Sequence, residues 1–189
     1  MPSRNESFSH AWRAEILLEP PLIAPARQYV YPQQVEEVER GALQVQVVPK
    51  EEAPFLATFA LGFAEPSLPH GIWSCPDPHQ ICAVAGGYAY IVNVRQPDVW
   101  QQVPYRPVTA LCVVPTHRLL VFAGFHSLCA LGSNGSAWET ERLSWEGLRI
   151  TDVEPDTLSG LGWDLMTDTE VPFTVELQTG RHSGGAGPH

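Results

Sequence analysis

Three proline-containing turns recur along the chain at an almost constant spacing, and this period constrains the fold more than any other feature of the sequence. The interval from Pro76 to Pro115 is nearly equal to the interval from Pro115 to Pro155. Gly86 and Gly124 follow the first two prolines and repeat almost the same interval. A period of roughly 40 residues, built from short apolar runs and turn residues, is typical of chains that repeat a small β-sheet.

Aromatic residues follow the same period. Trp100 and Trp138 are separated by the same interval as Gly86 and Gly124, and the third copy keeps a glycine and an aromatic at Gly162 and Trp163. Over residues 72–180 the layout resembles that of β-propeller proteins, whose blades are four-stranded sheets. The resemblance is of layout only and points to no specific family. It implies an all-β fold, a propeller-like array of small antiparallel sheets with repeats of about 40 residues; a β-sandwich is the alternative.

Composition agrees with a folded chain of many short strands. Hydrophobic residues make up 44% and charged residues 17%, which favours a globular core over disorder. The 18 prolines and 15 glycines supply the turns that short strands need. The formal net charge of −10 makes a nucleic acid or an anionic membrane surface an unfavourable partner.

The chain is predicted to contain an N-terminal arm (residues 1–28), a single β domain (29–181) and a flexible tail (182–189). Pro20 and Pro21 interrupt any long helix in the arm, although a short helix near Trp12 is compatible with its apolar spacing. The repeat units of the domain are predicted at about 72–108, 109–147 and 148–181.

Individual runs predict strands of different burial. Leu43, Val45 and Val47 alternate with glutamines, as in a half-buried strand, whereas the run 81–85 is continuously apolar, as in a fully buried one. The 42–63 segment predicts a hairpin which, with strands from the arm, could form a fourth and irregular sheet. Residues 33–40 are compatible with either a helical turn or a strand.

Four residues are candidates for acid–base catalysis. His117 and His126 flank the central strand of the second unit, and imidazole titrates near neutral pH. Asp164 and Asp168 belong to a late group of carboxylates that could pair with a histidine. No nucleophile elbow or phosphate-binding loop accompanies them, so the sequence leans towards a protein that is not an enzyme.

Histidines and cysteines cluster at His70, Cys75, His79 and Cys82, which are residue types that bind zinc. Their spacing contains no paired Cys-x-x-Cys motif, and Cys82 falls in an apolar run. The favoured interpretation is therefore structural, with no metal or other cofactor.

Tryptophans are the strongest candidates for a binding surface. Trp73, Trp100, Trp138 and Trp163 recur along the units. Their periodicity favours a packing role between sheets, while a shared orientation would make a surface for a peptide or small molecule.

The function most consistent with these features is a non-catalytic binding or scaffold module that presents loops and aromatic residues to a protein or small ligand. The alternatives are a hydrolase or lyase with a His/carboxylate site and a structural subunit of an assembly. A protein partner or a homodimer is compatible with this interpretation, whereas a nucleic acid or a membrane is not predicted as a partner. No apolar run is long enough for a membrane span or a signal peptide, which predicts a cytoplasmic location.

Overall fold

The computed structural model describes residues 2–23, 25–33, 38 and 40–187. Within these residues the chain forms seventeen strands in four small sheets, so the predicted all-β class is confirmed. The chain divides after Pro107 into two compact units, each containing two of the sheets. No helix among the described residues is both long enough and apolar enough to cross a membrane.

The first unit contains nine strands. They are β1 (Ser3–Asn5), β2 (Trp12–Leu17), β3 (Gln28–Tyr31), β4 (Ala42–Pro49), β5 (Phe55–Ala60), β6 (Gly71–Ser74), β7 (Gln80–Ala85), β8 (Tyr88–Asn93) and β9 (Trp100–Gln102). One sheet has the order β1-β6-β7-β8-β9, in which β1 joins an antiparallel run as a parallel edge strand. The other has the order β2-β4-β5-β3. It consists of the predicted 42–63 hairpin flanked by strands from the N-terminal part of the chain.

The second unit contains eight strands. They are β10 (Ala110–Val114), β11 (Leu119–Ala123), β12 (Leu128–Gly132), β13 (Gly135–Glu139), β14 (Leu148–Val153), β15 (Thr157–Asp164), β16 (Thr169–Glu176) and β17 (His182–Gly184). Its two sheets, β10-β11-β12-β13 and β14-β15-β16-β17, are antiparallel throughout, with each strand paired to the next along the chain.

Hydrophobic pattern and burial agree along the strands. In β4, Leu43, Val45 and Val47 are buried while the intervening glutamines are half-buried, as a sheet with one wet face requires. In β7, every residue from Ile81 to Ala85 is buried, because this central strand is covered on both faces.

The three periodic prolines occupy the same kind of position. Pro76, Pro115 and Pro155 each lie in the loop that joins the first and second strands of an antiparallel run: β6–β7, β10–β11 and β14–β15. Gly124 lies in the loop between β11 and β12, but Gly162 lies inside β15. The third sequence repeat (148–181) therefore departs from the second (109–147) in the position of its glycine.

The turn between β7 and β8 requires its two glycines. Gly86 and Gly87 have φ values of 56° and 78°, in the left-handed region that glycine adopts without strain. The segment before β6 also crosses this turn, since Phe63 N–H donates to the carbonyl of Gly86 at 2.9 Å. A Cβ at position 86 would lie 2.3 Å from the carbonyl oxygen of Phe63, so the crossing excludes a side chain there.

An aromatic cluster forms the core of the first unit. The ring of Tyr31 stacks on that of Phe59 at 5.1 Å between centroids, and Phe59 contacts Tyr90 of the other sheet at 5.5 Å. Trp100 packs edge-on against Tyr31. The Tyr31 hydroxyl donates to the carbonyl of Pro97 at 2.8 Å, so the one polar atom of this buried side chain is satisfied.

The core of the second unit lies between its two sheets. Val121 and Leu128 from one sheet pack with Phe173 and Val175 from the other, and all four are almost completely buried. Trp138 from the edge strand β13 closes this core with 8% of its surface exposed.

Both ends of the chain contain short strands. Trp12 begins strand β2 rather than a short helix, and its indole N–H donates to the carbonyl of Gln80 at 3.0 Å. Residues 182–184, predicted in a flexible tail, form β17, and Ala186 is buried. Backbone hydrogen bonds to Pro172 and Leu143 hold the segment after β17. Within 33–40, residues 34–37 and 39 lie outside the described residues.

Candidate functional site

The connection between β13 and β14 is a loop anchored at several points of the second unit. The backbone N–H groups of Leu143 and Ser144 both donate to the carbonyl of His126, at 2.7 and 3.2 Å. Trp145 N–H donates to the carbonyl of Trp163 at 2.9 Å, and Trp163 N–H donates to Oγ of Ser144 at 2.8 Å. These bonds fix the backbone from Leu143 to Trp145.

The loop forms one wall of a pocket with a volume of about 340 Å³, which we call the Trp145 pocket. Its other walls come from the β15–β16 hairpin and from the segment after β17. The lining residues are Trp145, Asp164, Met166, Val171 and 185–187. The volume lies at the lower end of the range found for small-molecule and side-chain pockets.

The apolar side chains at this pocket remain accessible to solvent. Trp145 is 36% exposed and Met166 is 86% exposed, and the neighbouring Leu165 is 62% exposed at the tip of the hairpin. Exposed tryptophan and methionine in a concave site are typical of binding surfaces, since both bury large areas and methionine adapts to a ligand's shape.

A cation lies beside the exposed tryptophan. The guanidinium carbon of Arg142 is 4.6 Å from the centroid of the Trp145 ring, within the range of a cation–π interaction. Because Arg142 comes from the same loop, this contact restricts the orientation of the indole. The pocket therefore has a preorganised aromatic wall.

Two of the predicted catalytic residues, His126 and Asp164, make contacts at this loop and at the hairpin beside it. Nδ1 of His126 is 3.2 Å from the carbonyl oxygen of Ser144. Asp164 accepts hydrogen bonds from Met166 N–H and the Thr167 hydroxyl, and so stabilises the hairpin turn. The buried Ser144 hydroxyl donates to the Gly147 carbonyl and is not positioned as a nucleophile.

The other two catalytic candidates lie elsewhere in the second unit. Nε2 of His117 is 2.8 Å from the carbonyl oxygen of Pro155 and 3.1 Å from Oδ1 of Asp156. Its carboxylate partner is thus Asp156. Asp156 lies in the β14–β15 loop, which corresponds to the β10–β11 loop that contains His117. Asp168 is exposed in the β15–β16 turn with φ of 54°.

The four candidate metal ligands lie in the first unit. Cys75 and Cys82 are completely buried, and burial raises the pKa of both thiols, which opposes the thiolate form that binds zinc. His70 accepts a hydrogen bond from Gly86 N–H, and His79 N–H donates to Asp77. Among the described residues, no group of three or more His, Cys, Asp or Glu side chains has the geometry to hold a metal ion.

The four candidate binding tryptophans are buried or half-buried. Trp73 in β6 and Trp138 in β13 are 7% and 8% exposed, and Trp100 packs on the core of the first unit. Trp163 is half-buried in β15. These positions agree with a role in sealing sheets.

Trp145 recurs along the sequence with the four candidate tryptophans, and its position distinguishes it from them. It lies between Ser144 and Glu146, just before Gly147, and so in a turn rather than an apolar run. A tryptophan in a turn does not belong to the alternating pattern by which a strand buries every second side chain. Trp145 differs in this respect from Trp138, which lies in a strand.

Comparison with known proteins gives no relative for this chain: it matches no protein-family model, no curated protein and no solved structure.

Proposed function

We propose that this chain is a non-catalytic binding module and that the Trp145 pocket is its site. The ligand is an apolar side chain of a protein partner or an apolar small molecule. The observation that carries the proposal is the accessible indole of Trp145, held by backbone hydrogen bonds on the wall of a pocket beside Met166. Contact with a ligand would bury both side chains and gain the corresponding hydrophobic free energy.

The polar groups near the pocket support binding rather than catalysis. The Ser144 hydroxyl and the carboxylate of Asp164 make hydrogen bonds that hold the loop and the hairpin. They therefore serve to fix the walls of the pocket, as supporting groups do in preorganised binding sites.

The architecture that we propose is a propeller-like array in which each of the four sheets corresponds to a blade. Its support is the common position of Pro76, Pro115 and Pro155 between the first and second strands of the antiparallel run in three of the sheets. We also propose a cytoplasmic location. The four cysteines form no disulfide bond in the described residues, as expected in a reducing compartment.

The binding proposal is tested by selecting peptides from a displayed library on the full chain and measuring their affinities by fluorescence anisotropy. Trp145→Ala should weaken binding of the selected peptides at least about tenfold, as for an aromatic hot spot. Val99→Ala is the matched control, since Val99 is an exposed apolar residue of the first unit. Selected peptides that bind Trp145→Ala as tightly as the unmodified chain would contradict the proposal.

One observation favours a second candidate, a hydrolase or lyase. The contact between His117 and Asp156 resembles the histidine–carboxylate pair in which the carboxylate orients a general base. A screen with chromogenic ester and glycoside substrates tests it. Turnover that is lost in His117→Ala and retained in His182→Ala would favour this function over the binding module.

A further inference from the structure

A second pocket lies in the first unit, where the segment between β5 and β6 passes over the β7–β8 turn. Its volume is about 350 Å³, and we call it the His70 pocket. Apolar walls come from Leu61, Phe63 and Leu68, and polar groups come from Glu65 and His70. A pocket with apolar walls and few polar groups has the usual composition of a small-molecule site.

The hydrogen bonding of His70 defines what its ring can offer to a ligand. The backbone N–H of Gly86 donates to Nδ1 of His70 at 3.3 Å. Only an unprotonated ring nitrogen can accept a hydrogen bond, so the proton of the neutral ring is on Nε2. Partial burial lowers the pKa of His70 below its ordinary value, which favours this neutral form at pH 7. The ring of His70, which lines the pocket, can therefore offer one hydrogen-bond donor, Nε2–H, to a ligand.

The charge on the other polar wall opposes an anionic ligand. Ser67 N–H donates to Oε1 of Glu65 at 3.1 Å, and the hydrogen bonds from Ser67 lower the pKa of Glu65 and keep it ionised. A ligand carboxylate would be repelled by this charge. A ligand ammonium group would be attracted by Glu65 but cannot accept a hydrogen bond from the Nε2–H of His70.

We propose that the His70 pocket binds a small uncharged molecule with an apolar body and one carbonyl oxygen, which accepts a hydrogen bond from Nε2 of His70. The apolar body packs against Leu61, Phe63 and Leu68. The site is separate from the Trp145 pocket, so neither proposal depends on the other.

Four probes of similar size test the proposal: acetophenone, ethylbenzene, benzoate and benzylamine. Each is titrated into the ¹⁵N-labelled full chain at pH 7.5, and the amide shifts of Gly86 and Leu68 give the dissociation constant. Acetophenone should bind most tightly. Ethylbenzene, which lacks the acceptor, should bind about fivefold more weakly, the effect of one net hydrogen bond. Benzoate, which Glu65 repels, should also bind more weakly than acetophenone, as should benzylamine, which cannot accept the hydrogen bond.

Two variants separate the hydrogen bond from the apolar walls. His70→Ala should abolish the preference for acetophenone over ethylbenzene, while His182→Ala, which changes a half-buried histidine of the second unit, should preserve it. Ala64→Trp places a large ring at an exposed lining position without touching the bond between His70 and Gly86, and should weaken binding of every probe.

Equal affinity for acetophenone and ethylbenzene in the unmodified chain would overturn the proposal, as would the absence of any shift at Gly86 and Leu68 with all four probes. An unchanged preference in folded His70→Ala would have the same consequence. If His70→Ala does not fold, the affinities of the probes for Ala64→Trp show whether they bind in this pocket. Probes that bind Ala64→Trp as tightly as the unmodified chain bind elsewhere, and the proposal is then wrong.

Discussion

The indole N–H of Trp138 donates a hydrogen bond to the backbone carbonyl of Leu177 across 2.7 Å, joining the edge strand β13 of one sheet to the residue that follows β16 in the other. The same indole lies against Gly180, where a Cβ would approach its ring to 2.8 Å. This contact lets a single side chain close the core of the second unit while its one polar atom stays satisfied.

Replacing Trp138 with phenylalanine should therefore destabilise the chain by about 2 to 4 kcal/mol, because the change leaves the Leu177 carbonyl without its buried donor and removes part of a packed ring. The free energy of unfolding is measured in urea by circular dichroism. Trp145→Phe is the control, since Trp145 is far more exposed and should change stability by less than about 0.5 kcal/mol. Equal effects of the two substitutions would contradict the structural role of Trp138.

Gly86 and Gly147 form a matched pair of substitution sites that tests how tightly the segment before β6 packs on the β7–β8 turn. Both have φ in the left-handed region, 56° and 73°, but a Cβ would meet Phe63 at position 86 and nothing within 4 Å at position 147. Gly147→Ala should cost about 1 kcal/mol from backbone strain alone. Gly86→Ala should cost at least about 2 kcal/mol more, because the crossing segment must move. Urea unfolding of both variants checks the difference, and similar losses would show that the crossing is not tightly packed.

Some strands can be predicted from the sequence because the hydrophobic pattern within the strand itself determines which residues are buried. The alternation of Val45 and Val47 with glutamines is sufficient to identify β4, and the continuous apolar run is sufficient for β7. Pairings between distant segments were not predictable in this way. The short strand β1 joins β6 in parallel, and Gly71 leaves no room for a side chain where Ser3 crosses it. That contact joins residues that are distant in sequence, so the hydrophobic pattern along the chain does not predict it.

The candidate site was less predictable than the sheets. Spacing placed His126 and Asp164 near strand ends, but it does not specify which group each side chain contacts. In the structure His126 contacts a backbone carbonyl and Asp164 caps a turn, because turns contain backbone groups that need partners. The Trp145 pocket is formed by a loop, a hairpin tip and the segment after β17, which become neighbours only through the sheet topology.

His70 should make the stability of the chain depend on pH. Partial burial lowers its folded-state pKa below the ordinary value of about 6.5, so the unfolded chain binds the proton more readily. Its contribution is therefore fully present above about pH 6.5 and is lost as the pH falls through that value towards the folded-state pKa. The measurement is the urea midpoint at pH 7.5 and at pH 5.0 in the unmodified chain and in His70→Gln. Carboxylates and other histidines also change the stability between these two pH values, and they do so equally in both proteins. The urea midpoint of His70→Gln should therefore fall less from pH 7.5 to pH 5.0 than that of the unmodified chain. An identical loss would exclude His70 as a contributor.

The cysteines should differ in reactivity according to their burial. Cys75 and Cys82 are completely buried and their thiol pKa values are raised by that burial, so the reactive thiolate is both scarce and inaccessible. Cys112 and Cys129 are only half-buried, although burial also raises the pKa of Cys112. In native protein treated with iodoacetamide at pH 7.5, peptide mass spectrometry should show labelling of Cys112 and Cys129 well before Cys75 and Cys82. In urea, all four should be labelled at similar rates. Rapid native labelling of Cys75 or Cys82 would show that the sheet around β7 opens readily, and would weaken the assignment of these two thiols to a closed core.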